Sequence, residues 1–285
     1  DVELFNEIYM NDTQYPKNLH HCIKYLHIIE LMIGEPLTQF QVLMLQRITA
    51  NILQSSAFIL HNKYTNTNSN RQMYITDRMC CHMLKLAAKF GFISDRMYIA
   101  IYFIKTLRYR DALSVTESIK ICTAQPGLMY HGHVDQERYT EAVGGQSLST
   151  KMRQAVAHDI DLINYICYIK ELSPEQQSSL KNLIPQLTVP LFVMLYFVEF
   201  LSYRHTDTNL AQAALEVIQD LVDQFQRPYV ERLKRDICWE ILGICQQMTG
   251  NLQAAFHSYQ QSITQYPSHQ IQNAAQMRIR DLHIT

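Results

Sequence analysis

Apolar residues recur along this chain at intervals of three and four rather than two, so the pattern predicts helices at both ends and through most of the middle. From Pro16 to Ile33 the apolar positions are Leu19, Ile23, Leu26, Ile29 and Met32, and Gly34-Glu35-Pro36 ends the run. Leu37 to Asn62 predicts a second, longer helix with Phe40, Val42, Leu45, Ile48, Ile52 and Phe58 inside, and the polar stretch from Asn62 to Asn70 reads as an exposed loop. Thr76-Asp77 is expected to cap a helix running to Phe90, and Ser94-Asp95 to cap the next, because their side-chain oxygens satisfy orphan backbone donors. Arg96 to Leu107 and Asp111 to Cys122 form one expected hairpin, with Ala100 and Ala112 at the close contact. Pro190 to Arg204 and Asn209 to Phe225 form another, with Ser202 and Ala214 as the small residues. Helix is also expected from Ser149 or Thr150 to about Lys170, and Ser173-Pro174-Glu175 opens a short one. Between these, Thr123 to Thr150 loses the helical period and holds Gly127, Gly132, Gly144 and Gly145, half of the eight glycines in the chain. Irregular segments of that length are usually functional or disordered.

The run from Asp236 to His269 carries the most specific pattern. Trp239-x2-Leu242-Gly243-x2-Gln246, then Ala255-x3-Tyr259, then Pro267 occupy a span of 34 residues, the spacing of a tetratricopeptide repeat. Gly243 and Ala255 are small where two helices must approach closely, while Trp239, Leu242 and Tyr259 fill the space beside them. Gly250 supplies the left-handed residue that ends the first helix, and Pro267 stops the second. Gln246 replaces the usual aromatic, and Tyr259 the usual Phe. The segment therefore resembles the tetratricopeptide family over one repeat, which implies degenerate neighbouring units upstream, since a single repeat cannot bury its own apolar face. Gln270 to Leu282 reads as a terminal helix covering the last hairpin. The expected fold is all-α, an array of antiparallel helical hairpins with one long irregular loop near 123–150, organised as 1–92, 93–189 and 190–285.

Composition changes this picture little. With 285 residues the chain can bury a large core, and 25 basic against 26 acidic residues leave a formal charge of −1. No net field favours nucleic acid or an anionic membrane. Seven cysteines, an odd number set in helical apolar patterns, fit a reducing compartment and a cytoplasmic protein. The longest apolar run, Pro190 to Leu201, contains Glu199 and is too short to span a bilayer. Asn11-Asp12-Thr13 matches a glycosylation acceptor, a triplet common by chance. A chain beginning at Asp1 rather than Met suggests a processed or partial polypeptide, and whether a domain precedes it stays open.

Four constellations could carry chemistry. Val143-Gly144-Gly145 followed by Asp159-Ile160-Asp161 has the spacing of nucleotidyltransferases of the polymerase-beta type, whose paired carboxylates hold phosphate-bridging metals. Read as helix, however, Asp159 and Asp161 would diverge by about 200°, which favours a solvated helix face. His131-Gly132-His133 with Asp135, Glu137 and His158 offers zinc-ligand types, but no Cys-x2-Cys accompanies it. Cys80-Cys81-His82 and His20-His21-Cys22 sit in helical patterns and read as packing groups. A basic stripe of Lys105, Arg108 and Arg110, joined by Arg71 and Lys151, would be needed to bind nucleic acid. None of these leads to a catalytic residue, metal ligand or cofactor. The remaining site is a groove on the first helix of the terminal repeat, where Ile237, Glu240, Ile244 and Gln247 would meet a protein or peptide with apolar anchors. The equally weighted alternative is that this face packs on the upstream hairpin.

A wider resemblance covers more than half of the chain. From Tyr109 to Tyr266, the segments TAQPG, YTEAVGGQS, STKMRQAVAHDI and CWEILGICQQMTGNLQAAFHSYQQS are similar to the helical carboxyl-terminal portions of expanded invertebrate proteins of the male-abnormal family. That family resembles cyclic GMP-AMP synthase. The resemblance implies an accessory, partner-binding array attached to an innate immune sensor, with any metal-binding carboxylates upstream of Asp1. The sequence leaves oligomeric state and partner identity open.

Overall fold

The computed structural model describes residues 16–64, 70–125, 129–130, 156–223 and 232–284. Among these the protein is all-α, with eleven α-helices and two two-stranded sheets of at most four residues per strand. The chain divides into two compact units. One holds the described residues up to Ile99 with 121–125, Met129 and 156–157. The other holds 100–120, Tyr130 and 158–284.

The first unit is built on α1 (Leu19–Ile33), α2 (Gln39–Tyr64) and α3 (Asn70–Phe90). Helix α2 has two working faces. Leu45 and Ile52, two turns apart, pack with Ile28, Ile29 and Met32 of α1, and Ala50 and Leu53 pack with Ala87 of α3. The thiol of Cys80, fully buried, donates to the Ala57 carbonyl at 3.1 Å, so this cysteine is the packing group the sequence indicated. Helix α3 begins at Asn70 rather than at the expected Thr76 cap. Arg71, Gln72 and Met73 are good helix formers, and Thr76 turns onto the buried face instead of ending the helix. A 3-10 turn, Ile93–Arg96, precedes α4 (Met97–Lys105), and there Asp95 accepts from the Phe92 amide and from Gln54 Nε2 at 2.9 Å. The cap expected at Ser94-Asp95 is thus carried by the aspartate.

The second unit contains most of α5 (Tyr109–Thr123), then α6 (Ser173–Lys181), α7 (Leu191–Tyr203), α8 (Thr208–Asp223), α9 (Arg235–Met248), α10 (Leu252–Thr264) and α11 (Gln272–Ile284). From α7 onward each helix packs on the next. Its core is closed by residues such as Phe197, Phe200, Ile218, Leu242 and Tyr259. Two positions of the terminal pair behave as their residue types require. Gly250 has φ +82 and ends α9. A Cβ on Gly243 would lie 2.5 Å from Cε1 of Tyr259, whose hydroxyl is held by Gln247 at 2.7 Å. Gly243→Ala should therefore destabilise the protein by about 1–3 kcal/mol, read as a lower urea midpoint with an unchanged slope.

The helix expected from Thr150 to Lys170 is not what forms over its described part. Residues Val156–Ala157 (β2) pair with Met129–Tyr130 (β1), and Ile160–Ile163 (β3) pairs antiparallel with Gln186–Val189 (β4) in the register Ile160↔Val189, Asp161↔Thr188, Leu162↔Leu187. Ile160 and Leu162 are fully buried on one face and Leu187 and Val189 on the same side of the partner, while Asp161 and Thr188 alternate with them. A two-residue period over so few positions also satisfies a helical template, and strand pairing decides the matter. Helix α6 then closes the end of the hairpin, with Gln176 Nε2 donating to the carbonyls of Ile163 and Ile166 at 3.1 and 3.0 Å.

Candidate functional site

The residues expected to line a partner groove lie on α9. Ile237 and Glu240 are fully buried, Ile244 is 2% exposed, and the half-buried Gln247 is taken by Tyr259. They do not form an open groove. The helical period located an apolar face correctly but could not say which neighbour covers it.

Glu240 instead belongs to a buried charged centre assembled from three helices. Arg278 of α11 donates from Nε to Glu175 Oε1 at 2.6 Å and from a terminal nitrogen to Glu175 Oε2 at 3.0 Å. The same nitrogen also donates to the Glu171 carbonyl at 2.6 Å. Glu240 lies farther off, 3.5 Å from Arg278 Nε. Both carboxyls are fully buried and the guanidinium side chain is 15% exposed. Two carboxyls around one cation balance only if one keeps its proton, and the more distant one does so at least cost. Burial first, and Glu175 second, push the Glu240 carboxyl well above the usual carboxylate range. Burial also raises the Tyr259 phenol and the Cys238 and Cys245 thiols, so these cysteines are not nucleophiles at neutral pH. Nothing in the sequence pattern joins Glu175 to Arg278, since they are 103 positions apart.

Three further carboxylates are held in the same unit. Glu199 of α7 accepts from Thr116 Oγ1 at 3.0 Å and pairs with Lys120 Nζ at 2.7 Å. Burial works against the Lys120 ammonium, yet the adjacent Glu199 carboxylate outweighs it, and Lys120 keeps its proton more tightly than an ordinary lysine. Asp159 is paired with Lys234, their side chains 6% and 12% exposed, and Asp161 accepts from Thr188 Oγ1 at 2.6 Å.

Only Asp161 lies on β3, and Asp159 immediately precedes the strand. Both carboxylates are engaged, Asp159 by the Lys234 ammonium and Asp161 by the Thr188 hydroxyl. Gly144 and Gly145, like His131, His133, Asp135, Glu137 and Lys151, lie outside the described residues, and among the described residues no three His, Cys, Asp or Glu side chains gather to hold a metal ion. Of the stripe considered for nucleic acid, Lys105 donates to the Cys167 carbonyl at 2.7 Å, and Arg108 pairs with Asp111 at 2.7 Å while lying over the Phe103 ring. All seven cysteines are free, and among the described residues no helix is long and apolar enough to cross a membrane. No protein-family model, curated protein or solved structure matches the chain.

Proposed function

We propose that this chain is a non-catalytic helical scaffold for a protein or peptide partner, acting in the cytoplasm as the accessory carboxyl-terminal region of a cyclic GMP-AMP synthase-like innate immune protein. The reading is supported by how the buried charge is spent. Glu175 and Glu240 close on Arg278, Glu199 on Lys120, and Asp159 on Lys234, so these ionic groups tie elements of the fold together and leave no poised acid, base or nucleophile among them. The successive packing of helices from α7 to α11 is the architecture that offers extended surfaces to partners. The immune setting rests on the similarity to the male-abnormal family. The test is to immobilise the full chain, identify the retained protein by mass spectrometry, and reconstitute binding with the purified pair. Failure of purified partners to bind would remove the reading.

A second reading, a metal-dependent nucleotidyltransferase fragment, draws on Asp161 lying on β3 with Asp159 just before it, rather than on a helix. Incubation with nucleoside triphosphates and manganese or magnesium should yield no nucleotide product from the chain, and Asp159→Asn should change nothing but stability, through the lost pair with Lys234. Product that disappears in Asp159→Asn would replace the scaffold with an enzyme.

A further inference from the structure

Helix α3 presents a face to solvent that is both apolar and basic. Tyr74, Ile75 and Met79 are 68%, 47% and 51% exposed, and Arg71, Arg78 and Lys85 are exposed beside them. At about 100° per residue these six positions fall on one side of the helix, opposite Thr76, Cys80, Leu84 and Ala87, which are buried. The three cations are spaced by seven residues, so they stand roughly 10.5 Å apart along the axis, with the apolar residues between them. The only carboxylate of α3 is Asp77, turned about 100° away from Arg78. In a chain with a net charge of −1, such a one-signed, apolar stripe stands out.

We infer that this face of α3 docks an acidic amphipathic helix of a protein partner. The inference rests on the scaffold reading and specifies its partner. A seven-residue spacing of cations matches carboxylates repeating once per heptad on a helix lying alongside, and the apolar side chains between them match that helix's apolar seam. Charge complementarity of this kind sets orientation and excludes basic partners. A nucleic acid would meet cations spaced too widely for successive phosphates and would leave Ile75 and Met79 against a charged backbone. A membrane surface would demand a larger apolar face than three side chains supply.

The test uses the full chain and fluorescein-labelled helical peptides of about three heptads, with Leu at the seam and Glu flanking it, and a twin with Lys for Glu. The Glu peptide should bind, and its affinity should fall with added salt. Arg78→Glu and Met79→Ser, both at exposed positions, should each weaken it by roughly tenfold with circular dichroism unchanged. Equal binding of the Lys peptide, or unchanged affinity in both variants, would overturn the inference. So would displacement of the Glu peptide by phosphatidylserine-containing vesicles or by a single-stranded oligonucleotide. A protein partner captured equally by wild type and by both variants would leave the scaffold reading standing and remove α3 as its docking face.

Discussion

Arg278→Met is expected to lower the unfolding free energy by about 3–5 kcal/mol, the cost of breaking a buried ion pair by removing one partner, and to be the most damaging single change in α11. The guanidinium satisfies both oxygens of Glu175 and the Glu171 carbonyl at once, and methionine fills much of its volume while supplying none of those donors. Urea denaturation at neutral pH measures the loss, and a change below about 1 kcal/mol would mean that solvent reaches the centre and screens it. A companion substitution separates charge from packing. Glu240 keeps its proton in the folded state above the pH at which the unfolded chain releases it, so the native protein binds more protons than the unfolded one across that range. Its contribution to stability is therefore fully present below the ordinary glutamate value of 4.5 and is lost as pH rises from there through the raised folded value. Glu240→Gln should flatten this dependence and leave the protein at least as stable at neutral pH. A steeper fall of stability with rising pH in that variant would show that Glu240 is ionised in the native state.

What could be read beforehand follows from which interactions are local. Helix positions come from a period repeated over three or more turns, and α1, α2, α7, α8 and α11 lie within a few residues of the expected runs Pro16 to Ile33, Leu37 to Asn62, Pro190 to Arg204, Asn209 to Phe225 and Gln270 to Leu282. Gly250 and Gly243 were legible because a left-handed turn and a helix contact each demand a residue without a Cβ. The hairpin of β3 and β4 was not, since it depends on Asp161 meeting Thr188, 27 positions away, and four residues of alternation do not outweigh a helical pattern around them. Glu240 was assigned to an open groove for a related reason. A carboxylate in an apolar stripe signals either a solvent edge or a buried partner, and its partner Arg278 lies on another helix. The Lys-Asp pair of Lys234 and Asp159, 75 positions apart, was equally out of reach.

Asp236→Ala should cost about 2–5 kcal/mol, because it strands buried donors that each carry a penalty of about 1–3 kcal/mol when left unpaired. Asp236 and His269 are the first and last residues of the 34-residue repeat read from the sequence, and the structure ties them together. The Asp236 carboxylate accepts from the His269 amide at 2.9 Å and from its own neighbour's amide, Ile237, at 2.8 Å, and the His269 ring Nδ1 stands 2.7 Å from Oδ1. The clamp extends outward, since Ser262 donates to the Asp236 carbonyl at 2.9 Å and Ser179 of α6 donates to the His269 carbonyl. With every one of these atoms buried, water cannot replace a lost partner. His269→Ala and the double variant complete a mutant cycle, and the coupling should be about 1 kcal/mol or more, within the range of about 0.5–3 kcal/mol seen for contacting residues. If the two single losses simply add, the carboxylate serves the backbone amides alone and the ring is packing. Hydrogen exchange distinguishes the same alternatives locally: a closed clamp should protect the α9 and α10 amides together, and Asp236→Ala should release both helices at one common free energy. Loss confined to the turn at Pro267 would instead mean that the hairpin is held by Gly243 and Tyr259 without help from its ends.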